Sequence, residues 1–274
     1  MNLNNFVKQC YEDNNGIMYD TDKLLDMVSD WEDPNPPLIV KEYDGVKVVR
    51  DDLLNHGSKI RFVDKYIRDI EAKEIVFGCC PANGYAQISL PAVASKYDKK
   101  VILFMAKRHP DNYHEYQRRG MDLGAIYEWV NMGMLNVTKS RAKKYYEEDK
   151  SNRVLFPIGL EHPTVIGSII KVARQNLNEN DFSEIWTVGS SGTLNRGLQL
   201  AFPKKDVHVV SVGHKMNERE IGRAKFYRSD YKFDKKIKEE EMPPFPSAPT
   251  YDAKAWKFVK EYAKPNALFW NVGA

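Results

Sequence analysis

Short β-branched runs alternate with segments of helical period along most of this chain, and that alternation constrains the fold more than any other feature. The runs fall at Leu38–Glu42, Val46–Arg50, Ile75–Gly78, Val101–Met105, Leu135–Thr138, Val154–Pro157, Ile185–Gly189, Val207–Val212 and Ala267–Asn271. Between most of them lie helical patterns at Lys59–Ile70, Tyr85–Ser95, Val165–Asn176 and Leu194–Phe202. Strands joined through helices by short connections predict an α/β fold with largely parallel sheets. In such sheets ligands gather beyond the carboxyl ends of the strands, where loops enter helix N-termini. The 274 residues allow one large domain or two smaller ones sharing a cleft.

Composition excludes several classes. No apolar run approaches the roughly 20 residues that span a bilayer, so no membrane partner is expected. Met1–Gly16 is polar and carries acids, which fits neither a signal peptide nor a transit sequence. The three cysteines, Cys10, Cys79 and Cys80, form no CxxC, so neither a disulfide framework nor a metal cluster is expected. A reducing, cytoplasmic compartment follows. Forty-one basic against thirty-eight acidic residues leave a net charge of +3, which alone does not indicate nucleic acid. The distribution is uneven: Lys107, Arg108, Arg118 and Arg119 lie in one segment, and Lys139, Arg141, Lys143, Lys144 and Lys150 in another. These are either two solvated helix faces or a basic rim that attracts a polyanion such as DNA. The first 36 residues read as a peripheral segment ending at Asp33-Pro34-Asn35-Pro36-Pro37, and Lys232–Pro249 as a charged, Pro-rich connector.

Four segments could carry chemistry, each at a strand end or a helix start. Gly189-Ser190-Ser191-Gly192-Thr193 follows an apolar strand and opens a helix. Small residues let backbone N–H groups approach a phosphate, and the helix N-terminus adds positive potential. The alternative is a tight turn with a serine cap. Neither the P-loop nor the dinucleotide fingerprint matches. Lys59 follows Gly57-Ser58 at the first turn of a helix, where an amine's charged form is disfavoured and attack on an aldehyde is helped; otherwise it is a surface lysine. In Gly78-Cys79-Cys80-Pro81-Ala82-Asn83-Gly84-Tyr85-Ala86-Gln87, Asn83 is either an N-cap or turned toward a ligand, and the cysteines read as core filler. Asp252, in Tyr251-Asp252-Ala253-Lys254, begins an amphipathic helix and could simply cap it.

Taken in order, these segments resemble the fold type II pyridoxal-phosphate enzymes, most closely 1-aminocyclopropane-1-carboxylate deaminase and D-cysteine desulfhydrase. The resemblance runs over residues 38–274 and rests on Arg50-Asp51-Asp52-Leu53-Leu54, on Gly57-Ser58-Lys59, on Asn83 with Gln87, on Gly189–Thr193 and on Tyr251–Lys254. It implies two open parallel-sheet α/β domains with pyridoxal 5'-phosphate in the cleft between them. The large domain would be 37–62 with 151–274 and the small one 63–150. It implies that Lys59 forms the Schiff base and, with Tyr251, is catalytic. Asn83 would meet the cofactor hydroxyl, Gly189, Ser190, Ser191, Gly192 and Thr193 the phosphate, and Asp252 the pyridine nitrogen. Ala82, Gly84, Tyr85 and Gln87 would meet the substrate. No metal is implied, and a homodimer is.

Two departures bear on the reaction. Ala82 stands where the deaminase pattern has a serine, which weakens the case for cyclopropane ring-opening. The connector Lys232–Pro249 replaces a longer, helix-bearing stretch. Three functions follow from the resemblance. The first is a lyase acting at the Cα of an amino acid, deaminase- or desulfhydrase-like. The second is a decarboxylase of an amino acid conjugated to thymine in hypermodified phage DNA, working in the host cytoplasm. The third is an inactive cofactor-binding protein, against which the retained Lys59 argues.

Overall fold

The computed structural model describes residues 20–131, 133–213 and 215–274; expectations for Met1–Gly16 and Cys10 lie outside them. The chain divides into two compact units, the second being Val63–Glu161 and the first the described residues on either side of it. The strands are β1 Val40–Tyr43, β2 Val46–Arg50, β3 Glu74–Phe77, β4 Lys100–Ala106, β5 Ile126–Val130, β6 Arg153–Leu155, β7 Glu184–Gly189, β8 Asp206–Ser211, β9 Lys225–Arg228 and β10 Leu268–Asn271.

The first unit holds a sheet in the order β1-β2-β10-β7-β8-β9, parallel except where β1 pairs with β2. That exception is a hairpin through Asp44-Gly45, both at positive φ (50° and 77°), the conformation a tight two-residue turn requires. Every residue of β7 and β10 is buried, as expected of central strands covered on both faces. Val48, Trp186, Val210, Phe245, Trp256 and Phe269 meet in one core cluster, which seats the C-terminal helix Trp256–Tyr262. Each such side chain contributes about 1.5–3 kcal/mol by burial. Helix Pro163–Asn176 starts with His162 Nδ1 accepting from the Thr164 amide at 3.2 Å. Helix Thr193–Ala201 lies close against it, because a Cβ on Gly197 would come within 2.4 Å of Ile169. Residues 20–36, expected to be peripheral, bury Leu24, Val28 and Trp31.

The second unit has a wholly parallel sheet, β5-β4-β3-β6. Because β6 pairs with β3, residues 151–161 pack in this unit, whereas the large domain, 37–62 with 151–274, was expected to resume at 151. The strand expected at Leu135–Thr138 is instead the first turn of helix Leu135–Glu148. Thr138 donates its hydroxyl to the Gly78 carbonyl at 2.7 Å, and Val137, Ala142 and Tyr145 continue at helical spacing onto Val76, Ile102 and Phe104. Lys107 and Arg108 precede a helix that begins only at Glu115, so 107–119 is not one helix face. No helix of the described residues is long and apolar enough to cross a membrane.

Candidate active site

Three adjacent parallel strands of the first unit, β2, β10 and β7, end on the same side of their sheet. β2 runs into the short turn Asp51–Leu53, then Gly57 at φ +68°, Ser58, and Lys59 as the first residue of helix Lys59–Asp69. The start of that helix is fixed from below. Ser58 donates to Asp51 Oδ2 at 2.7 Å, Arg61 Nε to Asp51 Oδ1 at 3.0 Å, and the Trp270 indole to Asp51 Oδ2 at 3.2 Å. Arg61 also reaches Asp33 at 2.6 Å, and the Ser58 amide donates to the Val272 carbonyl at 2.9 Å. Beside this cluster Arg50 holds Asp52 through two 2.7 Å bonds, and Asn271 donates to Asp52 at 2.8 Å. Lys59 itself is half-buried.

Asp252 is the first residue of the turn Asp252–Ala255 that feeds the C-terminal helix, and the cap position before it belongs to Tyr251. The capping alternative is thereby removed. The side chain is fully buried, and no side-chain donor reaches either carboxylate oxygen. Burial pushes its pKa up to about 8, against the opposing pull of the nearby Val272 amide and the Lys59 charge, with Asp52 adding to the rise. A buried carboxylate in this state wants a cationic donor.

The Gly189–Thr193 loop follows β7 and leads into helix Thr193–Ala201, with Gly192 at φ +74° in the cap position. A Cβ there would lie 2.2 Å from the Glu220 carbonyl, so only glycine fits. Ser191 and Thr193 place their hydroxyl oxygens 3.3 Å apart. Arg196, wholly buried, donates to the Ser191 carbonyl at 2.8 Å and braces the loop from inside. Tyr251 is half-buried; burial pushes its hydroxyl above the usual range, and the Ser190 amide lies beside it.

The residues 82–87 belong to the second unit. Tyr85 occupies the cap position of helix Ala86–Ala94, so Asn83 is not the N-cap. Gln87 is fully buried and donates to the carbonyls of Ala82 (2.7 Å) and Gly84 (2.9 Å) while accepting from Tyr127 (3.1 Å). Expected as a substrate contact, it shapes the loop that carries Ala82–Gly84. A Cβ on Gly84 would meet Cys80 at 2.7 Å, and the Tyr85 ring packs 4.8 Å from that of Tyr116. Among the described residues no group of three or more His, Cys, Asp or Glu could hold a metal ion.

Sequence reasoning missed the clamp of Asp51, Ser58, Arg61 and Trp270, and also Arg196. Asp51 and Ser58 stood inside quoted motif stretches, but nothing local in the sequence joined them to Arg61 or Trp270.

No family model matches the chain, and no curated protein does. Solved structures do match. An ACC deaminase homologue superposes with a TM-score of 0.77 at 16% identity, covering 92% of this chain and 94% of that one. Threonine deaminase isoform 2 from Solanum lycopersicum gives 0.69 at 12% identity over 93% and 85%. Serine racemase from Dictyostelium discoideum gives 0.62 at 13% identity over 93% and 96%. The fold is that of the fold type II pyridoxal-phosphate enzymes. At these identities the likeness establishes architecture, and the chemistry rests on the residues.

Proposed function

We propose that this chain is a pyridoxal-phosphate-dependent enzyme of lyase type acting at the Cα of an amino acid. The observation that carries the reading is Asp252, a fully buried carboxylate that no side-chain donor reaches, close enough to Lys59 to feel its charge. A protonated pyridine nitrogen is the donor such a group lacks. The remaining residues fit the same group: the Lys59 amine would hold its carbonyl carbon, and the Gly189–Thr193 loop its phosphate, at a helix N-terminus that favours anions. When bound, the cofactor supplies an electron sink for charge developing at Cα. Asp252 keeps the ring nitrogen protonated, and Lys59 takes or returns the proton at Cα. The Asp51 clamp fixes the helix start from which Lys59 projects, and Arg196 sets the loop. On the sequence resemblance, Asn83 is assigned to the cofactor and Ala82, Gly84 and Tyr85 to the substrate.

Elimination of ammonia from a small free amino acid is the primary reading, supported by a fold shared with two deaminases. Its expected setting is a cytoplasmic homodimer. Decarboxylation of an amino acid attached to a thymine of phage DNA is the second reading. It is supported by Lys107, Arg108, Arg118, Lys139, Arg141, Lys143 and Lys144, all exposed on the second unit. An inactive cofactor-binding protein would keep Lys59 to hold the cofactor and is separated from the other two readings by turnover alone. The deciding experiment offers serine, D-cysteine, 1-aminocyclopropane-1-carboxylate and DNA bearing an amino-acyl thymine. Ammonia with a keto acid from a free amino acid supports the first reading, and carbon dioxide from the conjugate the second. Turnover of none by the cofactor-loaded protein contradicts both.

A further inference from the structure

Beyond the carboxyl ends of β8 and β9 lies a cavity of about 390 Å³, lined by Ser211, Gly213, Arg228, Tyr231, Lys232 and Phe233 among others. We infer that it is a binding site for a phosphate group, distinct from that of the cofactor phosphate; this rests on the cofactor reading of the adjoining loop.

Charge is the first argument. Arg228 and Lys232 both line the cavity, and neither side chain is held in an ion pair with a described residue. The acid in the same wall, Asp230, is already engaged by Lys257 at 3.0 Å. Two cations with no ion-pair partner among the described residues, together with Ser211 and Ser229 in the same lining, match the several oxygens of a phosphate monoester or diester.

Rigidity is the second. The buried Lys254 ammonium donates to the carbonyls of Lys232 at 2.8 Å and Phe233 at 3.2 Å, and Tyr231 donates its hydroxyl to Glu241. The Ser229 amide donates to the Ser211 carbonyl at 3.0 Å. A wall already fixed loses little freedom when a ligand arrives.

Position is the third. The Val212 amide donates to the Gly189 carbonyl at 2.9 Å, which brings the next residue, Gly213, up to the loop. A Cβ on Gly213 would lie 3.1 Å from the Phe233 ring and 3.4 Å from Ser190 Oγ. Gly213, at φ +102°, thus leaves no side chain to partition the cavity from Ser190. Phe233 packs edge-on to Tyr251 at 6.3 Å, next to Asp252. The lining run 229–233 leads into the connector Lys232–Pro249.

The test titrates inorganic phosphate into the pyridoxal-phosphate-loaded protein by calorimetry, for the wild type and for Arg228→Gln/Lys232→Gln. Cofactor affinity is measured in parallel by absorbance. The expected result is saturable phosphate binding that weakens by about tenfold or more in the double variant, with cofactor affinity unchanged. Without cofactor, two phosphates should bind to the wild type and one to the variant. Equal phosphate binding in both proteins, or none in either, overturns the proposal. A parallel loss of cofactor affinity also overturns it, since the cavity would then serve the cofactor's own phosphate. Should the protein take up no cofactor, the reading of the loop fails, while the phosphate titration alone still decides the cavity.

Discussion

Ser58 donates its hydroxyl proton to Asp51 at 2.7 Å, one residue ahead of Lys59. That bond, with those from Arg61 and Trp270, makes the start of the helix a fixed point.

The clamp should dominate local stability. Asp51→Asn removes the charge opposite Arg61, a pair whose side chains are 1% and 3% exposed. Breaking a buried pair from one side costs about 3–5 kcal/mol; since Arg61 keeps Asp33, the low end is expected. Ser58→Ala should cost about 1 kcal/mol. Denaturant midpoints at constant m-value check both, and a change below 1 kcal/mol for Asp51→Asn would show that the clamp is incidental.

Asp252 gives a pH signature. With its folded pKa pushed up to about 8, the cofactor-free protein retains a proton that the unfolded chain releases near the ordinary carboxylate value. The folded state therefore binds more protons, so stability falls as pH rises from about 4 through 8. Asp252→Asn removes that loss. Its Tm should exceed the wild type's by a margin that widens from pH 5 to pH 9, and the ordering should reverse once cofactor is bound. A margin independent of pH contradicts the assignment.

The phosphate role of the loop is best tested away from Gly192, whose replacement would strain the backbone whatever its effect on a ligand. Ser191→Ala with Thr193→Ala removes two hydroxyls and no backbone donor. Affinity for pyridoxal phosphate should fall about tenfold, while affinity for pyridoxal, which has no phosphate, stays the same. Equal losses for the two ligands would make the loop a structural turn.

Some of this was legible in the sequence and some was not. β7, β8 and β10 are buried on both faces, so their apolar runs stand out; β5, at a sheet edge, alternates exposed and half-buried residues through Ile126-Tyr127-Glu128-Trp129 and was passed over. Leu135–Thr138 is too short for period alone to separate strand from helix, and only its packing through Ala142 and Tyr145 decides it. The turns before Lys59 and at Gly189–Thr193 and the helix start at Asp252 were legible because glycine turns and helix starts leave local marks, whereas the roles given to Lys59 and Asp252 come from the resemblance. The bond from Trp270 to Asp51 spans 219 residues and leaves none. Gln87 carried a motif match, and its bonds to two loop carbonyls, each local to the motif, were not legible from it.

The basic residues of the second unit make a separate prediction. If Lys107, Arg108, Arg118, Lys139, Arg141, Lys143 and Lys144 meet DNA, log affinity should fall with log salt at a slope of about −0.9 per phosphate contacted. Reversal of Lys143 and Lys144 to glutamate should flatten that slope. Absence of salt-sensitive binding leaves the residues as solvated surface and removes the support for the conjugate reading.

The central claim is that Lys59 is the residue that binds the cofactor covalently. The direct measurement is borohydride reduction of the protein incubated with pyridoxal phosphate, followed by peptide mass mapping. The account predicts a visible absorption band that borohydride bleaches, a single pyridoxyl adduct on Lys59, and loss of both in a folded Lys59→Ala protein. A stoichiometric adduct on another lysine, or no adduct at all on a folded wild-type protein, would contradict it.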